Sequence, residues 1–113
     1  MWEEVVYLGK VFGILLNEKD NVATALADAG TGEVLTVQGT NAKFELRCNE
    51  TIPFGHKIAL KEVTEGEAII KYGQRIGCAS CSIKQGDWVH THNVKDDYKV
   101  LDKNGQPLPG QEE

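Results

Sequence analysis

Apolar and polar positions alternate in short blocks along this chain, and four blocks share one pattern. An apolar or small residue is followed by two others, a glycine, and a polar residue that leads into further apolar positions. The blocks are AGTGEVL around Gly32, IPFGHKIAL around Gly55, VTEGEAII around Gly66 and IKQGDWVH around Gly86. Glycine takes up the positive φ that tight turns often require, and the Val, Ile and Trp that follow favour extended backbone. Each block therefore predicts a turn feeding a short strand. The unequal spacing of the four speaks against a stacked repeat of fixed period and for many short strands in one irregular β domain.

Other segments complete this picture. Val5 to Leu16 is apolar and β-rich but interrupted at Gly9 and Gly13, which predicts one or two strands with a bend. In KFELRC, Phe44, Leu46 and Cys48 alternate with Lys43, Glu45 and Arg47, the pattern of a half-buried strand in which Cys48 packs as a small hydrophobe. NVATALADAG predicts the one short helix. Asp20 or Asn21 serves as its cap, Val22, Ala25, Leu26 and Ala29 as its apolar stripe, and Gly30 as its end.

After Asn93 the chain turns polar, with Pro107, Pro109 and an acidic end. The expected organisation is one domain over residues 1–94 and a polar C-terminal extension over 95–113. About the last ten positions of that extension are read as a mobile tail, with Tyr98, Val100 and Leu101 docking on the domain or on another subunit.

Composition narrows the function classes. A chain of 113 residues supports one compact core and leaves little room for a deep cleft, which favours a site completed by a partner chain. The apolar fraction of 41% and charged fraction of 26% are ordinary, and the longest apolar run is too short to span a bilayer. The start MWEEVVYLGK lacks the features of a secretory signal, so a cytoplasmic location is expected, without membrane association. A net charge of −5 with scattered basic residues gives no footprint for a phosphate backbone, and nucleic acid is not an expected partner. Cys48, Cys78 and Cys81 are expected as reduced thiols.

All three histidines fall in two glycine-led segments, IPFGHKIAL (His56) and GDWVHTHNV (His90, His92), with KYGQRIG between them. On an extended strand His90 and His92, two apart, would project to the same side and share one ligand or metal. Histidine titrates near neutrality and serves as acid, base or metal ligand, and Lys57 offers a carboxylate or sulfonate a point charge.

The runs DNVATALADAGTGEVL, IPFGHKIALKEVTEGEAIIKYGQRIG and GDWVHTHNV together resemble the SAF-type domain of altronate and galactarate dehydratases, from about Lys10 to Asn93. The sulfolactate sulfo-lyase small subunit is similar. GHK, KYG-x-x-IG and VH-x-HN in that order make the resemblance specific, whereas any one fragment alone is weak. It implies a mainly β, single β-clip domain of the type III antifreeze-like kind. It also implies a larger catalytic partner, and divalent iron, or another divalent metal, held with that large subunit.

Dehydrating a sugar acid requires removal of a weakly acidic proton beside a carboxylate, stabilisation of the developing charge, and protonation of the departing hydroxyl. Carried over residue by residue, the resemblance places His56, Lys57, Tyr72, Gly73, His90, His92 and Asn93 at the substrate-facing surface. His56, His90 and His92 are the candidate catalytic residues, with His90 and His92 contributing to a metal or proton-transfer site. His56 and Lys57 hold the acidic substrate, and Asn93 orients a hydroxyl or carboxylate.

Structural alternatives stand beside these roles. His56 would be a turn residue bonding backbone, His90 and His92 a solvated edge-strand pair, Lys57 a surface charge, and Tyr72 a core aromatic whose hydroxyl reaches water. Gly73 and Gly77 serve the backbone. CASC departs from the family pattern, and Cys78 and Cys81 with His90 and His92 would supply four zinc ligands, although HxH differs from the usual H-x3-5-H spacing.

The reading that results is the small subunit of an altronate-type sugar-acid dehydratase, a hydro-lyase inactive without its large subunit. The alternatives are a sulfolactate sulfo-lyase small subunit and a noncatalytic module that binds acidic sugars or supports assembly, self-association included.

Overall fold

Nine short strands carry residues 11–96, the part of the chain described in the computed structural model. They are β1 (Val11–Ile14), β2 (Val22–Ala25), β3 (Val34–Gln38), β4 (Lys43–Arg47), β5 (Lys57–Ala59), β6 (Ala68–Lys71), β7 (Gln74–Ala79), β8 (Trp88–Val89) and β9 (Val94–Lys95). Six form one sheet in the order β4-β3-β1-β2-β5-β8, and three form a second in the order β6-β7-β9. Pairing is antiparallel except between β1 and β3. One buried cluster gathers Val11, Ala23, Ala25, Leu35, Val37, Leu46, Cys48, Ile52 and Ile58. A second gathers Val22, Ala59, Val63, Ile69, Ala79, Ile83 and Val89. The domain is mainly β, as expected. Tyr98, Val100, Leu101 and all but two residues of the 95–113 extension lie outside the described residues.

The four glycine blocks are four copies of one device. In each, the residue after the glycine donates its N–H to the carbonyl three positions back: Glu33 to Gly30, His56 to Pro53, Glu67 to Thr64 and Asp87 to Lys84. The glycines hold φ between 83° and 92° while the residues before them do not have positive φ, which makes each a type II turn. Each turn is clasped to one small buried residue. Gly32 N–H donates to Cys48 and Cys48 N–H to Glu33; Gly55 and His56 hold Ala25, Gly66 and Glu67 hold Ala79, and Gly86 and Asp87 hold Ala59 in the same way.

The turns also pair, through the bridges Ala29↔Ile52 and Val63↔Ile83, all four of whose residues are fully buried. The small residue always lies four positions before the bridge residue of the paired turn. The local spacing is thus regular even though the intervals between copies are not.

Residues 21–30 correct one expectation: they form no helix, and no helix occurs among the described residues. Its first part is β2, Val22–Ala25, a central strand whose Ala23 and Ala25 face one core while Val22 faces the other, and after the exposed Leu26, Ala27 and Asp28 the run ends at the bridge residue Ala29 and Gly30. Burial on both faces leaves no polar side for a helix, and tertiary packing overrides the propensity of alanine. The expected capping residues serve a different backbone. Asn21 donates from Nδ2 to the Ala68 carbonyl (2.9 Å) and accepts the Ile70 N–H (2.8 Å). Asp20 accepts the N–H groups of Tyr72 (3.0 Å) and Gly73 (2.8 Å). Tyr72 and Gly73, at φ 59° and 72°, are the two central residues of a type I′ hairpin turn joining β6 to β7. These two side chains therefore stitch the small sheet to the large one.

Val11 to Ile14 and KFELRC follow the sequence expectation. Leu46 and Cys48 are buried, Phe44 packs at the edge of the core, and burial pushes the Cys48 thiol pKa upward, with Glu33 adding to the shift.

Two stability outcomes are expected. A methyl group at Gly66 meets only open space, so Gly66→Ala carries the positive-φ strain alone, about 1 kcal/mol; a methyl at Gly86 also collides with the Arg47 carbonyl oxygen. Urea denaturation should therefore rank Gly86→Ala well below Gly66→Ala, and equal midpoints would contradict the clasp geometry. Asp20→Ala strips the hairpin tip of its acceptor and should cost about 1–3 kcal/mol in the same assay.

Candidate functional site

The pairing of β5 with β8 sets Lys57 opposite Val89 and Ile58 opposite Trp88. Carried one step past the strand ends, that register sets His56 opposite His90, and their ring centroids lie 4.3 Å apart. Trp88 stands beside both: its ring is within 8° of parallel to His90 at 5.5 Å, and 5.7 Å from His56. His92 packs against the same indole at 4.9 Å. Trp88 Nε1–H donates to His56 Nδ1 at 3.0 Å. The three imidazoles, from segments more than thirty positions apart, thus form one aromatic cluster at the edge of the larger sheet.

Comparison of the four turns shows why His56 is available. In three of them the residue after the glycine is an acid whose carboxylate folds back onto the N–H that opens the turn: Glu33 on Gly30, Glu67 on Thr64 and Asp87 on Lys84. In the fourth the opening residue is Pro53, which has no N–H to satisfy, and the acid is replaced by His56. The turn keeps its backbone bonds, while its last side chain is released towards Trp88 and His90. His56 therefore occupies a turn position without bonding the turn's backbone through its ring.

The strand expected to carry His90 and His92 ends earlier. β8 stops at Val89, and residues 90–93 form a turn closed by Asn93 N–H on the His90 carbonyl (3.1 Å). Asn93 is buried and its amide clamps that turn, accepting the His90 N–H at Oδ1 (2.9 Å) and donating from Nδ2 to the Trp88 carbonyl (2.8 Å). The two histidines converge because both rest on Trp88, and strand alternation is not the cause. Asn93 has both ends of its amide on backbone.

Lys57 and Tyr72 lie apart from this cluster. Ile58 belongs to the first core and Ala59 to the second, so by alternation Lys57 leaves β5 on the side away from Ile58 and His56. Burial lowers its pKa, and the Lys71 charge lowers it further. Lys71 in turn places its ammonium 4.9 Å from the centre of the Tyr72 ring. Tyr72 is exposed at the hairpin tip rather than part of a core, and a side chain at Gly73 would strike Asn17. The pKa of His90 is depressed by partial burial and then by His56, Lys57 and His92, so the lysine field reaches His90.

Among the described residues no three His, Cys, Asp or Glu side chains are grouped so as to hold a metal ion. The four-ligand zinc arrangement is therefore not assembled: Cys78 is buried in β7, whose Cys78 pairs with Lys95, while Cys81 is exposed. All three cysteines are free. His56 directs Nδ1 to an indole N–H, which leaves His90 and His92, among the described residues, as an incomplete donor set for iron. A groove of about 720 Å³ lined by Phe12, Ile14, Leu16 and Leu26 contains no titratable side chain and shares no residue with the cluster. In the histidine cluster His56, Trp88 and His90 are half-buried and His92 is exposed.

Sequence reasoning missed Trp88, Lys71 and Asp20. Trp88 and Lys71 stand inside motifs already singled out, GDWVH and KYG, and the signal for Trp88 was a polar-tipped aromatic two residues before His90. Asp20 gave no signal distinguishable from a helix cap.

No described helix is long and apolar enough to cross a membrane. Comparison with known proteins matches residues 11–97 to the altronate/galactarate dehydratase SAF domain. Altronate dehydratase of Bacillus subtilis is 40% identical over 82 residues, 73% of this chain and 16% of that protein. Galactarate dehydratase (L-threo-forming) of Escherichia coli is 37% identical over 78 residues, 69% of this chain and 14% of that protein. The (2R)-sulfolactate sulfo-lyase subunit alpha of Chromohalobacter salexigens is 41% identical over 66 residues, 57% of this chain and 70% of that one. The chain spans about a sixth of the altronate dehydratase it matches. With a family match covering most of its length, the chain belongs to the altronate/galactarate dehydratase SAF domain family.

Proposed function

We propose that this chain is the small component of an altronate-type sugar-acid dehydratase, and that its histidine wall forms one side of an active site completed by a large catalytic chain. The observation that carries the reading is the release of His56 from turn duty into contact with His90 and Trp88. A polyhydroxy mono- or dicarboxylate presents one or two negative charges and a row of hydroxyls. Lys57 and Lys71 supply long-range attraction for the charge, and the imidazoles supply short-range hydrogen bonds.

His90, depressed below the ordinary histidine range, keeps a free lone pair at neutral pH and is suited to take or relay a proton. Asn93 acts as a positioning residue, since it fixes the turn that carries His90 and His92. Iron held with the large chain would stabilise the charge developing on the carboxylate; among the described residues of this chain no full ligand set is grouped. The product is a 2-keto-3-deoxy acid.

A second reading is favoured by one observation: the sulfo-lyase subunit alpha matches over 70% of its own length, against 16% for the altronate dehydratase. In that case the substrate is sulfolactate, the products pyruvate and sulfite, and the leaving group needs no proton.

The chain by itself is expected to be inactive, and a mixture with its large partner to form keto acid. Sulfite release marks the second reading instead. His56→Ala, His90→Ala and His92→Ala should each lower turnover of the mixture at least about tenfold. Unchanged turnover in all three would leave only a noncatalytic assembly role.

The depressed His90 pKa has a sign. The unfolded chain takes up that proton first as pH falls, so the His90 contribution to stability is intact above the unfolded value of about 6.5 and is lost progressively below it. An NMR titration should place the His90 midpoint below 6.5, and His90→Asn should flatten the fall in urea midpoint between about pH 7 and pH 5. A His90 midpoint at or above 6.5 contradicts the partial burial of the ring and the positive groups beside it.

A further inference from the structure

We propose that Trp88 is the positioning residue of the histidine wall: its indole N–H fixes His56 in the ring orientation and tautomer that carry the proton on Nε2, so that His56 meets the acidic substrate as a hydrogen-bond donor and not as a base. For the identity of the substrate this rests on the dehydratase reading above; for the tautomer it rests on geometry alone.

An indole nitrogen donates and has no lone pair to offer. Whichever imidazole nitrogen lies 3.0 Å from Trp88 Nε1 must accept, and that nitrogen is Nδ1 of His56. A neutral imidazole that accepts at one nitrogen carries its proton on the other. Nε2–H, on the far side of the ring from Nδ1, is therefore the group that His56 has to offer a ligand. Accepting a substrate proton at Nε2 would require the ring to lose that proton first, or to move it to Nδ1 and break the bond to Trp88.

The indole is itself held from several directions. Its backbone N–H donates to Glu50 Oε2 at 3.0 Å, its carbonyl accepts the Asn93 amide at 2.8 Å, and Ile58 faces it across the β5–β8 pair. Its ring lies nearly parallel to His90 and touches His92. One residue with no titratable group thus contacts all three imidazoles and dictates the hydrogen-bonding sense of one of them. Proton removal then falls to His90, His92 or the large chain, while His56 holds an oxygen of the substrate or of the charge that develops on it.

The test uses the ¹⁵N-labelled full chain, alone, at a pH of about 8.5, two units above the ordinary imidazole value. A scalar coupling across the Trp88 Nε1–H···Nδ1 bond, with His56 Nε2 protonated and Nδ1 not, is the expected result. Absence of that coupling, or a proton on Nδ1, overturns the proposal.

Trp88→Phe keeps an aromatic ring and removes the donor together with the five-membered ring that bears it. In a folded variant, a fraction of His56 should shift to the Nδ1-protonated form, and kcat/KM of the mixture with the large chain should fall about tenfold. An unchanged tautomer ratio with unchanged kcat/KM also overturns it. Should the variant not fold, the wild-type coupling decides. That spectrum needs no partner and no substrate, so it judges this inference separately from the dehydratase reading, which an inactive wild-type mixture would overturn.

Discussion

Everything in this domain depends on the double backbone hydrogen bond between a type II turn and a small buried residue on a neighbouring strand. A glycine at positive φ turns its N–H inward, the next carbonyl follows, and both meet the N–H and C=O of Cys48, Ala25, Ala79 or Ala59. A larger side chain at those four positions would sit where the two cores are already filled by Ile, Leu and Val. Buried backbone polar groups have to be paired, and these clasps pair them where strands of two to six residues are too short to do so by ladders alone. The same clasps place the start of β5 against β2, which sets where His56 stands relative to β8.

The histidine cluster arises from a local exception to that scheme. Three turns tie their last side chain to their own first N–H; the fourth begins with proline and ends with histidine. The exchange leaves the fold intact, because the clasp uses backbone atoms only. It places an imidazole on a rigid corner opposite His90, and a turn locked by Asn93 brings His92 to the same indole. Lys57 is separated from His56 by strand alternation, so it contributes its field rather than a shared contact. The result is an aromatic wall of three imidazoles around one indole at the edge of the larger sheet.

The sequence made much of this legible. The turns at Gly32, Gly55, Gly66 and Gly86 and the half-buried β4 were readable because glycine conformation and period-two alternation are local properties. Residues 21–30 misled because alanine at helical spacing looks the same whether it lines a helix or fills the tight middle of a doubly covered strand; only the neighbours decide. Asp20 and Asn21 were read as caps for the same reason, since a carboxylate or amide seeking N–H groups does not reveal whose. The three histidines stand together in the structure, but the strand alternation expected for His90 and His92 does not apply, because β8 ends at Val89. His90 and His92 are gathered locally, by the His90–Asn93 turn and the neighbouring Trp88, whereas the approach of His56 to that group is a long-range outcome of the β5–β8 pairing.

Pro53 has an implication for how such a module changes over time. Because scaffold and reagent reside in different atoms of the same corner, a proline at the opening and a new terminal side chain together suffice to turn an inert bend into a chemical group. Neither change disturbs the main chain. Three unmodified corners remain as ready substrates for the same exchange, so the domain can acquire or relocate reactive side chains without re-inventing its architecture.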